Sequence, residues 1–240
     1  METKNVQQTL MSSVPHRVHR FARVLTESTH AVYLVGGAVR NLLIGRPPED
    51  WDIATNATPQ QVQKLYRRTI PTGIHHGTIT VLFAGERFEV TTFRTESTYS
   101  DSRRPDSVYF ADSIDEDLSR RDFTINAIAF DLSSGTLYDP HGGCRDLSAR
   151  RLRTVGSAHE RFNEDGLRLF RGCRLVAELG LSVDQQTVQA MRDSLLTANL
   201  VASERICEEL RRLLTARAPS AGLHLLDRTG LMGLCFGKPA

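Results

Sequence analysis

The sequence predicts an α+β domain followed by an all-α segment, and three observations point to it. Residues 31–35, AVYLV, run directly into Gly36-Gly37 and then AVRNLLIG, which reads as strand, glycine turn and helix. GTITVLFA (77–84) and ERFEVTTFR (86–94) alternate with period 2 and meet at Ala84-Gly85, an antiparallel hairpin. After about Arg150 strand signals thin out, and residues 159–180, 183–198 and 203–216 carry helical apolar spacing. A boundary is therefore placed near residue 150.

The remaining elements follow in chain order. Residues 1–15 are polar without periodicity and read as a loose leader. From Pro15, Val18, Phe21, Val24 and Leu25 recur at helical spacing. Gly45 stops the helix after the glycine pair, and Arg46-Pro47-Pro48 forces an extended connection. DIATN (52–56) reads as a second strand, and Thr58-Pro59 opens a helix with proline in its first turn. Residues 95–113 are rich in Ser, Asp, Arg and Tyr and read as a long mobile loop, a class that often serves function. The pattern turns helical from Ile114 and ends in an apolar run to Asp131, with a strand or hairpin through Thr136 to Asp139. Residues 224–232 look like a further helix.

A chain of 240 residues, 40% hydrophobic and 24% charged, can bury a real core and is not disordered, collagenous or a coiled-coil rod. No apolar run approaches the roughly 18 residues of a membrane span, and the N-terminus lacks the order of a signal peptide. A soluble, cytoplasmic protein is expected. Cys144, Cys173, Cys207 and Cys235 show no CxxC spacing, so they read as four scattered small hydrophobes rather than a zinc site or disulfide framework. The net charge is only +2, but of 30 basic residues just three are lysines. Arginine's planar fork suits phosphates and base edges, while a GC-rich genome would favour the same codons.

Five constellations could carry chemistry. Gly36, Gly37 and Arg40 stand on a strand-to-helix turn that is either a simple tight turn or a phosphate cradle. Asp50 and Asp52 are two apart before an apolar strand, so on a strand they share a face. They are either solvated acids or a pair for Mg²⁺, which binds a few carboxylates and completes its shell with phosphates. Glu89 would join them as a third carboxylate if its strand lies beside the one carrying Asp52. Arg120-Arg121-Asp122 precedes a helical pattern, and adjacent arginines suit a triphosphate. Asp122 and Asn126, four apart, would share a helix face. Finally, Asp165, Arg168, Arg171 and Arg174 recur every third residue, a slowly drifting helical stripe that needs an anion or acids to neutralise it, or a solvated face.

Together and in this order, these residues resemble one family, the bacterial-type (class II) CCA-adding tRNA nucleotidyltransferases, which share a catalytic half with bacterial poly(A) polymerases. The resemblance rests on LVGGAVRNLLIGRPPEDWDIATNATP, IPTGIHHGTITV, FEVTTFR, RRDFTINAIAFD, DPHGGCRDL and EDGLRLFRGCR, running from about Tyr33 to Leu214. IPTGIHHGT favours the CCA branch. Asn41 stands where the family usually has aspartate, and relatives continue past residue 240 into further helical domains that hold tRNA.

The resemblance implies a polymerase-β-like head with a mixed or antiparallel sheet, followed by an all-α neck. It divides the chain into a leader and helix (1–29), a catalytic head (30–150), a nucleotide-selecting neck (151–217) and the start of a truncated or minimal helical body (218–240). It implies template-independent transfer of C, A or both from CTP and ATP to the tRNA 3′ end by two Mg²⁺ ions; the sequence does not fix the oligomeric state, and a monomer is favoured. Asp50 and Asp52 would hold metal, with Glu89 as the third catalytic carboxylate. Gly36, Gly37, Arg40, Arg121, Asp122, Asn126, Asp165, Arg168, Arg171 and Arg174 would bind nucleotide. Cytosine and adenine both present an amino donor beside a ring-nitrogen acceptor, whereas uracil and guanine present the reverse, so an acceptor at Asp165 beside a donor at Arg168 fits C and A. A poly(A) polymerase, an enzyme adding only C or only A, and a catalytically dead tRNA-binding module are the alternatives. The loop at 95–113 argues against the C-only form, and Asp50 with Asp52 against the dead module.

Overall fold

The structure, a computed structural model, describes residues 3–74, 77–96, 108–111 and 113–236. They fall into two compact units, the first built mainly from residues up to Cys144 and the second mainly from Arg145 onward. The three residues Asp122–Thr124 belong to the second unit, although the segments on either side belong to the first.

The first unit begins with α1 (Thr3–Ser13) and α2 (His16–Glu27), so the expected loose leader is a helix. Val6, Leu10 and Met11 supply its apolar face, and Val14 follows its end; Leu10 and Val14 are buried in the core, and polar neighbours mask this spacing in the sequence. Then come β1 (Val32–Val35), α3 (Gly36–Leu43), β2 (Trp51–Thr55) and α4 (Pro59–Leu65). A reciprocal capping box between Thr58 and Gln61, with Pro59 behind it, starts α4 as the sequence implied. The strands β3 (Thr69–Gly73), β4 (Thr78–Phe83) and β5 (Glu86–Thr92) follow, with β4 and β5 joined by Ala84 and Gly85, both at positive φ. Residues 94–96 and 108–110 form a small antiparallel pair, β6 (Arg94–Glu96) and β7 (Val108–Phe110), where a continuous loop was expected; residues 97–107 and 112 lie outside the described residues. His75 and His76 of the IPTGIHHGT motif also lie outside them. Next are α5 (Ile114–Ser119), a turn of 3₁₀ helix at Thr124–Asn126, β8 (Ala129–Asp131), β9 (Leu137–Tyr138) and α6 (Gly143–Ser148).

Seven of these strands form one sheet in the order β3-β4-β5-β2-β1-β8-β9, with β2 and β5 parallel and all other neighbours antiparallel. The period-2 alternation sorts the side chains. Leu34, Ile53, Ile79, Val81, Phe88 and Val90 enter the core beneath α1, α2 and α4. Phe21 of α2 stacks on Phe88 at 4.0 Å between ring centroids and on Tyr66 at 4.6 Å, and the buried Tyr66 hydroxyl donates to the Phe21 carbonyl. The alternate residues Asp52 and Glu89 therefore emerge on the opposite face of the sheet.

The second unit is helical, apart from the parallel pair β10 (Arg151–Leu152) and β11 (Ser182–Val183) and a bridge from Phe123 to Thr154. Its helices are α7 (Ala158–Glu164), α8 (Leu167–Leu179), α9 (Gln185–Asp193), α10 (Leu195–Ala198), α11 (Ser203–Leu214), α12 (Pro219–Thr229) and α13 (Met232–Phe236). The helices expected over 159–180 and 183–198 are each broken in two. In the first case the break falls at Asp165-Gly166, where Asp165 turns extended, and a Cβ on Gly166 would lie 2.5 Å from the Thr197 carbonyl oxygen, so the position requires glycine. Helix α8 is buried along most of its length, with α11 and α12 packed on it, and Gly222 lets α12 close on the Cys173 carbonyl. All four cysteines are free thiols; Cys173 is a core residue, but Cys207 is exposed rather than a buried small hydrophobe. Among the described residues no helix is long and apolar enough to cross a membrane.

Candidate active site

The first unit gathers the carboxylates. The β2–β5 pairing sets Asp52 directly opposite Glu89, fulfilling the condition on which Glu89 joins the pair. Asp50 is exposed in a bend just before β2, so the shared-face argument holds only from Trp51 onward. Even so, the Asp50 charge acts on Asp52. Burial pushes the Asp52 carboxyl up to about 6; Arg121 and Arg40 oppose the rise, and Glu89 and Asp50 add to it. Glu89 also accepts from Arg87 at 3.2 Å.

Helix α3 starts immediately after β1 at Gly36, whose φ of +64° suits glycine. A methyl group there would meet Arg121 Nη1 at 3.1 Å and Asp52 Oδ2 at 3.4 Å, so Gly36, Arg121 and Asp52 enclose one corner. A methyl on Gly37 would meet only Arg40 Nη2, at an ordinary 3.6 Å. Arg40 is buried; its Nη1 donates to Asn126 Oδ1 at 2.6 Å, and its Nε and Nη2 donate to Asn41 Oδ1. The neutral amide at Asn41 thus holds Arg40 without cancelling its charge.

The RRDFTIN segment is not one helix, and this corrects the expectation that Asp122 and Asn126 share a helix face. Residues 120–123 lie outside any helix, Asn126 ends the 3₁₀ turn and binds Arg40, and Asp122 belongs to the second unit. There Asp122 accepts from its neighbour's N–H at Phe123 and from Arg171 Nη1 at 2.9 Å.

The second unit also corrects the stripe. Asp165 has extended backbone between α7 and α8, so only Arg168, Arg171 and Arg174 ride on α8. Asp165 Oδ1 accepts from the Leu167 N–H at 3.0 Å, and Oδ2 from Arg205 Nη2 at 3.0 Å. Arg168 donates to Glu164 and to the Arg161 carbonyl. Arg171 lies between Asp122 and Glu209, whose charges hold its guanidinium well above its usual pKa against the cost of burial. Arg174 is buried between Glu209 (2.5 Å) and Glu178 (2.7 Å), so two acids on its own scaffold neutralise it. Sequence reasoning did not assign Asp117, Glu164, Arg205 and Glu209, the partners that orient these groups; the only local signal was an acid three or four residues from an arginine.

The hard oxygens of Asp52, Glu89 and Asp50 suit Mg²⁺, and a cation would relieve the burial cost of the Asp52 charge. Among the described residues no three His, Cys, Asp or Glu side chains form a group that could hold a metal ion.

Two family models match the chain. The family described as "Poly A polymerase head domain" matches residues 32–153, and "Probable RNA and SrmB-binding site of polymerase A" matches residues 180–237. A CCA-adding enzyme of Bacillus cytotoxicus is 46% identical over 215 residues, 90% of this chain and 54% of that protein. A CCA-adding enzyme of Levilactobacillus brevis is 44% identical over 89% of this chain and 53% of that protein. The crystal structure of the Bacillus stearothermophilus CCA-adding enzyme in complex with CTP superposes with a TM-score of 0.82 at 42% identity, covering 90% of this chain and 52% of that one. The Thermotoga maritima CCA-adding enzyme complexed with tRNA shares the fold, with a TM-score of 0.80 at 22% identity. The chain spans about half the length of the relatives it matches.

Proposed function

The chain belongs to the poly(A) polymerase head-domain family, and from that premise we propose that it is a template-independent tRNA nucleotidyltransferase, adding C, A or both from CTP and ATP to the tRNA 3′ end in the cytoplasm. The observation that carries this reading is the Asp52–Glu89 pair beside the corner made by Gly36 and Arg121. A carboxylate pair facing a guanidinium and a side-chain-free helix start suits a triphosphate with its cations. CCA addition is favoured over poly(A) synthesis by similarity to CCA-adding enzymes over about nine-tenths of this chain.

In the proposed reaction the RNA 3′-oxygen forms a bond to the α-phosphorus of the nucleotide, and the bond to pyrophosphate breaks. Asp50 and Asp52 would hold Mg²⁺ with Glu89 beside them, and the bound ions would supply activation of the hydroxyl and stabilisation of the leaving oxygens. Gly36 leaves room for a phosphate at the start of α3, where unpaired N–H groups and the helix dipole favour an anion. Arg121 and Arg40 place fixed positive charge where phosphate charge develops. In the second unit, Asp165 offers an acceptor and Arg168 a donor for the C and A edge. Arg205 and Glu164 hold these two side chains in advance, which lowers the cost of ordering them on binding.

The decisive experiment incubates the protein with labelled CTP or ATP, Mg²⁺ and a tRNA lacking its CCA end. Extension by C, A or both at that end is expected. Untemplated A tracts on any RNA would instead make it a poly(A) polymerase, and no extension under any condition would overturn the reading.

A further inference from the structure

Asp117 sits on α5, three residues before Arg120 and four before Arg121, and its side chain is fully buried. Its two oxygens divide the labour. Oδ1 accepts from Arg120 Nε and Nη2 at 3.0 and 2.7 Å, and Oδ2 accepts from Arg121 Nε and Nη2 at 3.3 and 2.9 Å. The two arginines hold the carboxyl below its usual range in spite of burial, so it is an anion. One negative charge thus orders two positive ones. The Nε/Nη2 edge of Arg121 is occupied by Asp117, so its remaining nitrogen, Nη1, is turned to the corner. There it donates to the Asn126 carbonyl at 3.4 Å and lies 3.1 Å from where a Gly36 methyl would be, next to Asp52.

We propose that Asp117 is a positioning residue: it grips one edge of Arg121 so that the other edge faces the triphosphate at the Gly36–Asp52 corner. The assignment rests on the reading of that corner as a nucleoside triphosphate site. A planar guanidinium held along one edge has its remaining nitrogen fixed in direction, whereas an unheld arginine must lose rotamer freedom each time a phosphate arrives. A solvated surface pair would achieve little of this, because exposed ion pairs hold geometry weakly. Asp117 is instead buried and charged, and each of its oxygens accepts two N–H groups from one arginine.

The test compares wild type, Asp117→Asn, Arg121→Gln and the double variant as full chains. CTP affinity with Mg²⁺ is measured by calorimetry without RNA, and thermal unfolding is recorded alongside. Loss of charge-assisted hydrogen bonds of this kind should weaken CTP binding about 10-fold or more in Asp117→Asn. The double variant should bind no more weakly than Arg121→Gln alone, because Asp117 acts through Arg121. A purely structural Asp117 would lower the melting temperature and leave CTP affinity unchanged, or would add its effect to that of Arg121→Gln; either result overturns the proposal. Should Asp117→Asn fail to fold, Asp117→Glu keeps the charge but displaces the guanidinium by one methylene. It is expected to weaken CTP several-fold, and wild-type affinity would overturn the proposal. A wild-type protein that binds no CTP would sink the reading of the corner itself, a result distinct from wild-type binding that Asp117→Asn leaves untouched.

Discussion

Asp52 and Glu89 face one another across the parallel β2–β5 pairing of the seven-stranded sheet, and burial of the Asp52 charge beside Glu89 and Asp50 costs the fold energy. The unfolded chain would titrate Asp52 near 3.8, but burial and the two acids push it up to about 6 in the folded protein. Between those values the folded state holds the extra proton. Stability therefore falls as pH rises through this window, and the cost is complete above it. After discounting for the partial exposure of Asp52, the penalty at neutral pH is on the order of 2 kcal/mol. Asp52→Asn should raise the melting temperature near neutral pH, and the gain should vanish below about pH 4. Mg²⁺ should narrow the difference by stabilising wild type. Melting curves across pH check this, and an Asp52→Asn protein no more stable than wild type at neutral pH would contradict it.

Activity should move the other way. Asp52→Ala, and to a lesser degree Asp50→Ala, removes a carboxylate proposed to hold the cations, so transfer should fall by several orders of magnitude with the fold intact. Glu89→Gln keeps the shape of the strand but lowers the local negative charge, and it should cost transfer more than CTP affinity. Single-turnover extension of tRNA compared with calorimetric CTP binding separates the two quantities. Near-normal transfer by Asp52→Ala would remove Asp52 from the mechanism.

Gly36→Ala should be far worse than Gly37→Ala. At Gly36 the φ of +64° costs an alanine roughly 1–2 kcal/mol, and its methyl would sit 3.1 Å from Arg121 Nη1, displacing the guanidinium. The Gly37 methyl meets no comparable obstacle. CTP affinity and melting temperature of the two variants provide the measurement. Equal losses in both would show that neither the positive φ of Gly36 nor its approach to Arg121 sets the site.

Much of this was legible from the sequence where the signal is local. The glycine turn, the β4–β5 hairpin and the Thr58-Pro59 helix start are short-range patterns, and they stand as expected. Glu89 was legible only conditionally, because alternation fixes the face of a strand but not its neighbour. The helical character of residues 3–13 was hidden, since burial of Leu10 and Val14 depends on the core they join, which later parts of the chain supply. The break before α8 was hidden too: Gly166 is required by the approach of the Thr197 backbone, a contact 31 residues away in sequence. Asp122 and Asn126 were paired by a helical count that fails once Phe123 bridges to Thr154. Asp117 and Glu209 looked like any acid on a charged helix until the arginines they hold were seen in space.

The base-selection assignment separates two kinds of arginine partner on α8. Asp165 lies before the helix, is only partly buried and is held by Arg205; Arg174 is deep and balanced by Glu209 and Glu178. Asp165→Ala removes the proposed acceptor for the amino group of C and A. Each lost hydrogen bond to a base edge is worth about 1–3 kcal/mol of discrimination, so misincorporation of U and G should rise roughly 5–150-fold. Arg205→Gln leaves the acceptor present but less well held, so its selectivity loss should be smaller. Arg174→Gln removes the nearest cation from Glu209 and Glu178 and leaves them the longer contacts to Arg171 (3.6 Å) and Arg212 (3.7 Å), so it should lower stability by about 1–3 kcal/mol while leaving the choice of base among surviving molecules nearly intact. Competition assays with all four nucleoside triphosphates, run beside urea melts, distinguish these outcomes. If Asp165→Ala kept its preference for CTP and ATP while Arg174→Gln lost it, base choice would lie deeper along α8 than Asp165.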